Sequence, residues 1–197
     1  MTWILHPEVT KLGLGHVGSN VLIDRTVMIF GPSYISLGSN VRIDANVVLT
    51  AGPGSLIIGS NVHIGVGTSV HAGASDVQLN DYVGLSAGVR IFSARDDFSN
   101  GSLTGPTVPS GFRSEYAAKI VLKKHAIVGS NSVIMPGVEI GVGASIGALT
   151  FVHRSIPDGT IVTGNPMRKI GMRDIKRLEN LGVKLESSDQ FNDRKKS

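Results

Sequence analysis

The chain has no cysteine in its 197 residues, which excludes disulfides and thiolate chemistry and suits a cytoplasmic enzyme. Aromatic residues make up only 5% and charged residues 17% of the sequence, a balance that fits a regular β structure with tight turns better than a helical bundle. No apolar run approaches the roughly 20 residues of a membrane-spanning helix. The opening Met1-Thr2-Trp3-Ile4-Leu5-His6-Pro7-Glu8 lacks a basic segment followed by an apolar one, so no secretory signal is expected. The net charge of +4 is modest, and its basic residues are not interleaved with aromatics, so no nucleic-acid surface is expected. What is plentiful is glycine, at 25 residues, and aliphatic side chains at a fixed interval.

That interval is six. It runs Val17, Ile23, Ile29, then Leu37, Ile43, Leu49, then Ile58, Ile64, Val70, then Leu79, Leu85, Ile91. After a long gap it resumes with Leu122, Val128, Ile134, then Ile140, Ile146, Val152. Six groups of three emerge, and extra residues occur only between groups, at four of the five junctions. Fixed-period self-similarity marks a repeat architecture. A three-sided coil with one short strand per side and insertions at one corner produces this pattern. The fifth position of the six is mostly small or β-branched, as at Val21, Val27, Ser33, Val41, Val47, Thr68, Ala74, Ser132 and Thr150, which lets large and small side chains fill a narrow triangular core in layers. The fourth is often Asn or Gly (Asn20, Asn40, Asn46, Asn61, Gly67, Gly73, Gly88, Asn131, Gly137, Gly143), residues that tolerate the left-handed backbone of a sharp corner. The expected architecture is all-β, a triangular prism of about six coils over residues 12–170.

The gap between Ile91 and Leu122 sends residues 93–119 out of the prism at one corner. A loop this long is usually functional or disordered, and Phe98, Phe112 and Tyr116 need surfaces to pack on. The register puts His71 one rung from Phe92, facing outward near the root of the loop that carries Asp96 and Asp97. After the prism, Met172, Ile175, Leu178 and Leu181 share one helical face within residues 171–186, with Gly182 as a stop. Residues 187–197 read as a polar tail. His6, His16, His63 and His125 form no zinc-like pair, and no metal site is expected; His125 falls at a corner position.

The units Ile58-Gly59-Ser60-Asn61-Val62-His63 and Ile140-Gly141-Val142-Gly143-Ala144-Ser145 resemble the hexapeptide motif of the left-handed parallel β-helix acyltransferases. The resemblance covers about residues 12–170 and supplies the left-handed sense of the coil. It implies an acetyltransferase that uses acetyl-CoA as donor, built as a homotrimer with active sites between adjacent prisms. Galactoside, maltose and xenobiotic acetyltransferases carry a catalytic His on the loop leaving this coil. Aligning Val89-Arg90-Ile91-Phe92-Ser93 with that strand puts Asp97 at its position, and the loop here contains no His. The Asp96-Asp97 segment looks instead like sugar acetyltransferases of surface-polysaccharide biosynthesis. Three mechanisms stay open at this stage. Asp97 is the base, its carboxyl raised by burial or by Asp96. Alternatively His71, or a His of a neighbouring subunit, takes the proton while Asp97 orients the ring. In the third, the loop only positions a sugar amine.

Thr163-Gly164-Asn165-Pro166-Met167-Arg168-Lys169 resembles the element that closes the β-helix in this family, which implies that Arg168, with Lys169, lies near the phosphates of coenzyme A. Ser130 with Gly129, and Ala148 with Gly147, match positions lining the pantetheine arm; His153 and Arg154 match a Thr-Lys pair bordering the cofactor. A backbone amide near Gly129 or Ser86 is expected to face the developing oxyanion. The expected function is transfer of an acetyl group to a hydroxyl or amine of a sugar, a nucleotide-linked one, without nucleic acid or a membrane span. The alternatives are a non-catalytic β-helix scaffold, against which the closing element and the aromatic loop argue, and acetylation of an antibiotic, against which the missing loop His counts.

Overall fold

A computed structural model describes residues 3–4 and 6–188, and the expected tail lies outside the described residues from position 189 onward. The chain winds as a three-sided parallel coil, each side a sheet. Face one stacks His16–Val17, Ile35–Leu37, Leu56–Ile58, Val77–Leu79, Ile120–Leu122 and Glu139–Ile140. Face two stacks Leu22–Asp24, Arg42–Ile43, His63–Ile64, Gly84–Leu85, Ile127–Val128, Ser145–Ile146 and Thr160–Thr163. Face three stacks Met28–Phe30, Val48–Ala51, Ser69–Ala72, Arg90–Phe92, Val133–Ile134 and Phe151–Val152. Each face is one member of the six-residue triplet.

The register follows the aliphatic marks. On face two Ile23 pairs Ile43, Ile43 pairs Ile64, Ile64 pairs Leu85, Leu85 pairs Val128, and Val128 pairs Ile146. These side chains point inward and are buried. Each contributes on the order of 2 kcal/mol, and a one-residue slip would turn the whole ladder to solvent. That penalty pins the register. Six coils were expected; the solenoid has about seven turns. The extra partial turn begins at Ile156, bridged to Ile140, and continues at Val162, paired with Ile146.

Two other expectations are corrected at the corners. Ser33 and Ala74 are exposed rather than inward-facing. Where residues are inserted after face three, the strand runs on, and Ala51, Ala72 and Ser93 fill the core there instead. Gly73 is not left-handed, whereas Tyr82 (φ 61°), His125 (φ 65°) and Leu149 (φ 57°) are. The coil geometry fixes the turn; the residue type only sets its cost.

Antiparallel strands cover both edges of face two: Trp3–Ile4 on Leu22–Asp24, and Arg168–Met172 on Thr160–Thr163. The C-terminal helix spans Ile175–Glu186 and runs through Gly182. Gly182 is not a stop because it sits on the His125 ring; an added Cβ would lie 3.4 Å from that ring. No helix among the described residues is long and apolar enough to cross a membrane.

Candidate functional site

The large loop leaves face three after Phe92 and is ordered from its root. Ser93 donates to the His71 carbonyl and accepts from the Ala118 amide, so both ends are clamped to one rung. Beyond the clamp, Ala94–Asp96 pairs antiparallel with Glu115–Ala117, forming a ribbon that projects from the corner. Arg95 lies with its guanidinium 5.4 Å from the Tyr116 ring centre and 5.9 Å from that of Phe98. A cleft of about 570 Å³ opens between the ribbon (Arg95, Phe98, Ser99, Tyr116) and the upper rungs of face three (Met135, Pro136, Phe151, His153).

His71 stands where the register put it, opposite Phe92, with the two rings stacked at 5.1 Å. Burial, and then the Arg90 charge, push its pKa below the ordinary histidine value. Asp97 closes its own turn. It accepts from the Ser99 amide at 2.8 Å and hydroxyl at 2.7 Å, and from the Asn100 amide group. Those hydrogen bonds, chiefly from Ser99, hold its carboxyl below the usual carboxylate range. This is opposite to the raised value that a carboxylate base needs. Asp96 is half-buried and accepts from the Gly105 amide at 3.1 Å. Among the described residues no hydrogen bond or ion pair joins His71 to either carboxylate.

The residues matched to the cofactor follow another corner, between faces two and three. Ser86, Gly129, Gly147 and Thr163 succeed one another there, one per rung, with Ala87, Ser130 and Ala148 beside them. The rungs pack closely: a Cβ on Gly129 would come within 2.5 Å of the Ala148 nitrogen, and one on Gly147 within 2.5 Å of Thr163 Oγ1. Buried Ser132 and Thr150 line the inside of this corner and donate to the Gly147 carbonyl at 2.9 and 2.7 Å. Of the amides near Gly129 and Ser86 expected to face the oxyanion, these two themselves are already bonded. The Ser86 amide donates to Val128 O and the Gly129 amide to Ile146 O, so the ladder consumes both.

At the upper end, Arg168 pairs with Thr163 and Lys169 with Val162 in the closing hairpin, both side chains exposed, while Met167 is buried beneath. Arg154 and Lys169 share a second cleft of about 280 Å³ with Asp158 and Met172. His153, stacked on Phe151 at 5.6 Å, faces the loop cleft instead, so the expected His153-Arg154 pair is divided between two surfaces. Among the described residues no group of three or more His, Asp or Glu could hold a metal ion.

One constellation escaped the sequence reading. On face two, Asp44 Oδ2 lies 2.8 Å from His63 Nε2, and Asp44 Oδ1 accepts from Arg42 Nε at 2.8 Å. His63 shares a cleft of about 310 Å³ with Ser86, Gly84 and Ile127. The signal was present: the register arithmetic that placed His71 also sets His63 beside Arg42, two residues before Asp44.

The family described as the hexapeptide repeat of succinyl-transferase matches residues 35–51 and 124–152. Over 179 residues the chain is 34% identical to dTDP-4-amino-4,6-dideoxy-D-glucose acyltransferase of Escherichia coli, covering 91% of this chain and 93% of the relative. AntD, an N-acyltransferase from Bacillus cereus, was solved with dTDP and 3-hydroxybutyryl-CoA. It superposes with a TM-score of 0.88 at 38% identity, over 95% of this chain and 99% of AntD. A substituted AntD holding dTDP-4-amino-4,6-dideoxyglucose and coenzyme A gives a TM-score of 0.89 at 37% identity, over 95% and 98% of the two chains. A hexapeptide-repeat acetyltransferase from Vibrio cholerae, at 21% identity and a TM-score of 0.54 over 81% of this chain and 71% of its own, shares the fold. From its repeat through its extruded loop to its closing hairpin, the chain belongs to the hexapeptide-repeat acyltransferase family.

Proposed function

We propose that the protein transfers an acyl group from coenzyme A to the amino group of a dTDP-linked 4-amino-4,6-dideoxy sugar. The observation that carries this reading is the whole-chain superposition, loop included, on an N-acyltransferase holding that sugar nucleotide and coenzyme A. The acetyl thioester expected from the sequence is the first donor to try, with 3-hydroxybutyryl-CoA, bound by AntD, the second. The thioester is already activated, so the protein's task is to orient the amine and remove its proton.

The donor lies along the small-residue corner. Its phosphates meet Arg168 and Lys169, and its pantetheine passes Ala148 and Ser130 with Gly147 and Gly129 at its side. Ser86 marks the next rung down. AntD has been crystallised with substitutions at one serine and at one aspartate ten positions later. Ser86 and Asp96 have the same separation here. This supports Asp96 as the carboxylate that meets the acceptor amine. Asp97 then shapes the loop through Ser99 and Asn100, and His71 braces its root through Phe92.

Ser86 and Asp96 sit at opposite ends of the strand Arg90–Phe92, at two different corners. A site that uses both needs the corner of one copy and the loop of another. We therefore include in the proposal a homotrimer of left-handed coils with the site between copies. The test is turnover. Mixed with acetyl-CoA and dTDP-4-amino-4,6-dideoxyglucose, the protein should release free thiol in step with N-acylated sugar nucleotide. No turnover with either thioester, and no coenzyme A binding at millimolar ligand, would remove the reading. Full turnover by Asp97→Asn at saturating substrate would confine Asp97 to the loop-shaping role.

A further inference from the structure

The acyl-transfer reading needs a proton acceptor besides Asp96, whose carboxylate meets and orients the amine. Asp97 is tied into its turn and held acidic. His71 is stacked under Phe92 on a strand away from the cofactor corner. We propose that His63, held by Asp44, is the group that takes the proton released when the acceptor amine attacks the thioester. The proposal rests on the acyl-transfer reading and adds to it the identity of the base.

The cofactor corner descends one rung at a time from Thr163 through Gly147 and Gly129 to Ser86. At about 4.8 Å per rung, those three steps cover about 14 Å. Arg168 and Lys169 hold the phosphate end at the top, so the thioester end points down toward Ser86. On the next rung His63 pairs with Gly84, and its ring lines the same cleft as Ser86. Gly84 carries no side chain, so nothing on the adjoining strand stands between the ring and that cleft.

Asp44 also fixes the proton's place on the ring. Burial raises the Asp44 carboxyl, but the hydrogen bonds and charges of Arg42 and His63 together outweigh it and hold the group below the ordinary carboxylate range. It is therefore ionised and can only accept. His63 Nε2, 2.8 Å from Asp44 Oδ2, must carry the hydrogen. In the neutral ring this leaves the lone pair on Nδ1, and a carboxylate behind the ring compensates the imidazolium that forms. Asp44 and Arg42 are the charged groups that face His63; the rungs above contribute Gly84 and Ile127, which carry none. Arg42 is fixed from its other side by Trp3, 5.0 Å from the ring centre.

The step balances without a further reagent. The amine nitrogen bonds to the thioester carbonyl carbon and the carbon–sulfur bond breaks. The proton lost from nitrogen goes to His63 Nδ1, then to the departing sulfur, and coenzyme A leaves as the thiol.

The test compares wild type, His63→Gln and Asp44→Asn in the intact protein across pH, with coenzyme A binding measured alongside. His63→Gln should lower kcat about 100-fold while KM and coenzyme A affinity stay within about 3-fold. That loss should hold across the pH range, and Asp44→Asn, which removes the carboxylate behind the ring, should lose less. Independently of turnover, coenzyme A should shift the His63 ring resonances in a nitrogen-detected spectrum. A His63→Gln enzyme that keeps wild-type kcat, or ring resonances indifferent to bound coenzyme A, would overturn the assignment. A wild-type protein that neither binds coenzyme A nor turns over removes the underlying function as well.

Discussion

Leu149 is a branched side chain, 70% exposed, at a backbone φ of 57°. The left-handed conformation costs an ordinary residue about 1–2 kcal/mol, and Asn carries less of that cost. Leu149→Asn should therefore raise the melting temperature by about 2–4 °C, read by calorimetry. Gly129→Ala should do the reverse. Its Cβ would press to 2.5 Å on the Ala148 backbone, where no flexible side-chain end can yield. We expect a loss of about 2 kcal/mol or more, with coenzyme A affinity falling as the rungs part. At this scale the sequence was readable where residue type and geometry agree. Nine of the ten Asn and Gly corner positions are left-handed, Gly73 being the exception. His125 was placed at a corner by its position in the six, whereas Tyr82 and Leu149 were harder to see as left-handed corners because stacked neighbours, not their own preferences, hold them there. The His63–Asp44 contact was hidden for a related reason: the strand register is periodic, but a side-chain rotamer is not.

The C-terminal helix is held by a small set of polar contacts over one buried ring. Asp174 caps it by accepting from the Arg177 amide at 2.9 Å. Arg173, just before it, donates to the His125 and Gly143 carbonyls, both at 3.1 Å. Lys124 pairs with Glu186, and His125 lies between Tyr82 and Gly182. Burial first, then Lys124 and Arg173, push the His125 pKa below its ordinary 6.5, while Glu179 and Glu186 oppose the shift. The neutral ring is the one that fits. The stabilisation is thus complete above pH 6.5 and is lost as pH falls through the depressed folded value, because the unfolded chain then binds the proton more readily. Hydrogen exchange of residues 175–186 should speed up relative to the prism between about pH 7.5 and about pH 5. His125→Asn, which suits the turn, should remove that dependence. A helix equally protected at both values would show that the ring bears no part in docking. The helix was legible from its 3.6-residue period from Ile175 onward; Met172, counted in the same period, belongs instead to the closing strand Arg168–Met172, which pairs with Thr160–Thr163. The helix's continuation through Gly182 was not legible, because a glycine that ends a helix and one that admits a neighbouring ring look alike in a sequence. The loop's antiparallel ribbon was equally concealed, since neither Ala94–Asp96 nor Glu115–Ala117 alternates apolar and polar residues.

A fixed register over about seven turns makes the molecule a straight ruler, with each corner a separate line of side chains. This is why the period alone located the loop, whereas the corner of Ser130 and Ala148 was singled out by the family resemblance and not by the period. The partial further turn starts four residues after Val152 rather than six, so Ile156 fell outside the series. A rigid ruler has a functional consequence. The corner of Ser86 and the ribbon of Asp96 cannot swing toward each other across the packed face that separates them. If both serve one reaction, they must come from different copies of the chain. That arrangement can be tested by complementation. Ser86→Ala and Asp96→Asn proteins should each be nearly inactive, yet unfolded and refolded together in equal amounts they should recover about a quarter of wild-type turnover. The fraction follows from chance assembly: at any interface, one copy supplies an intact serine corner half the time and its neighbour an intact loop half the time. A site confined to one chain gives no recovery at any mixing ratio. Sedimentation of the mixture at three times the 20.7 kDa chain mass would tie the recovered activity to the trimer.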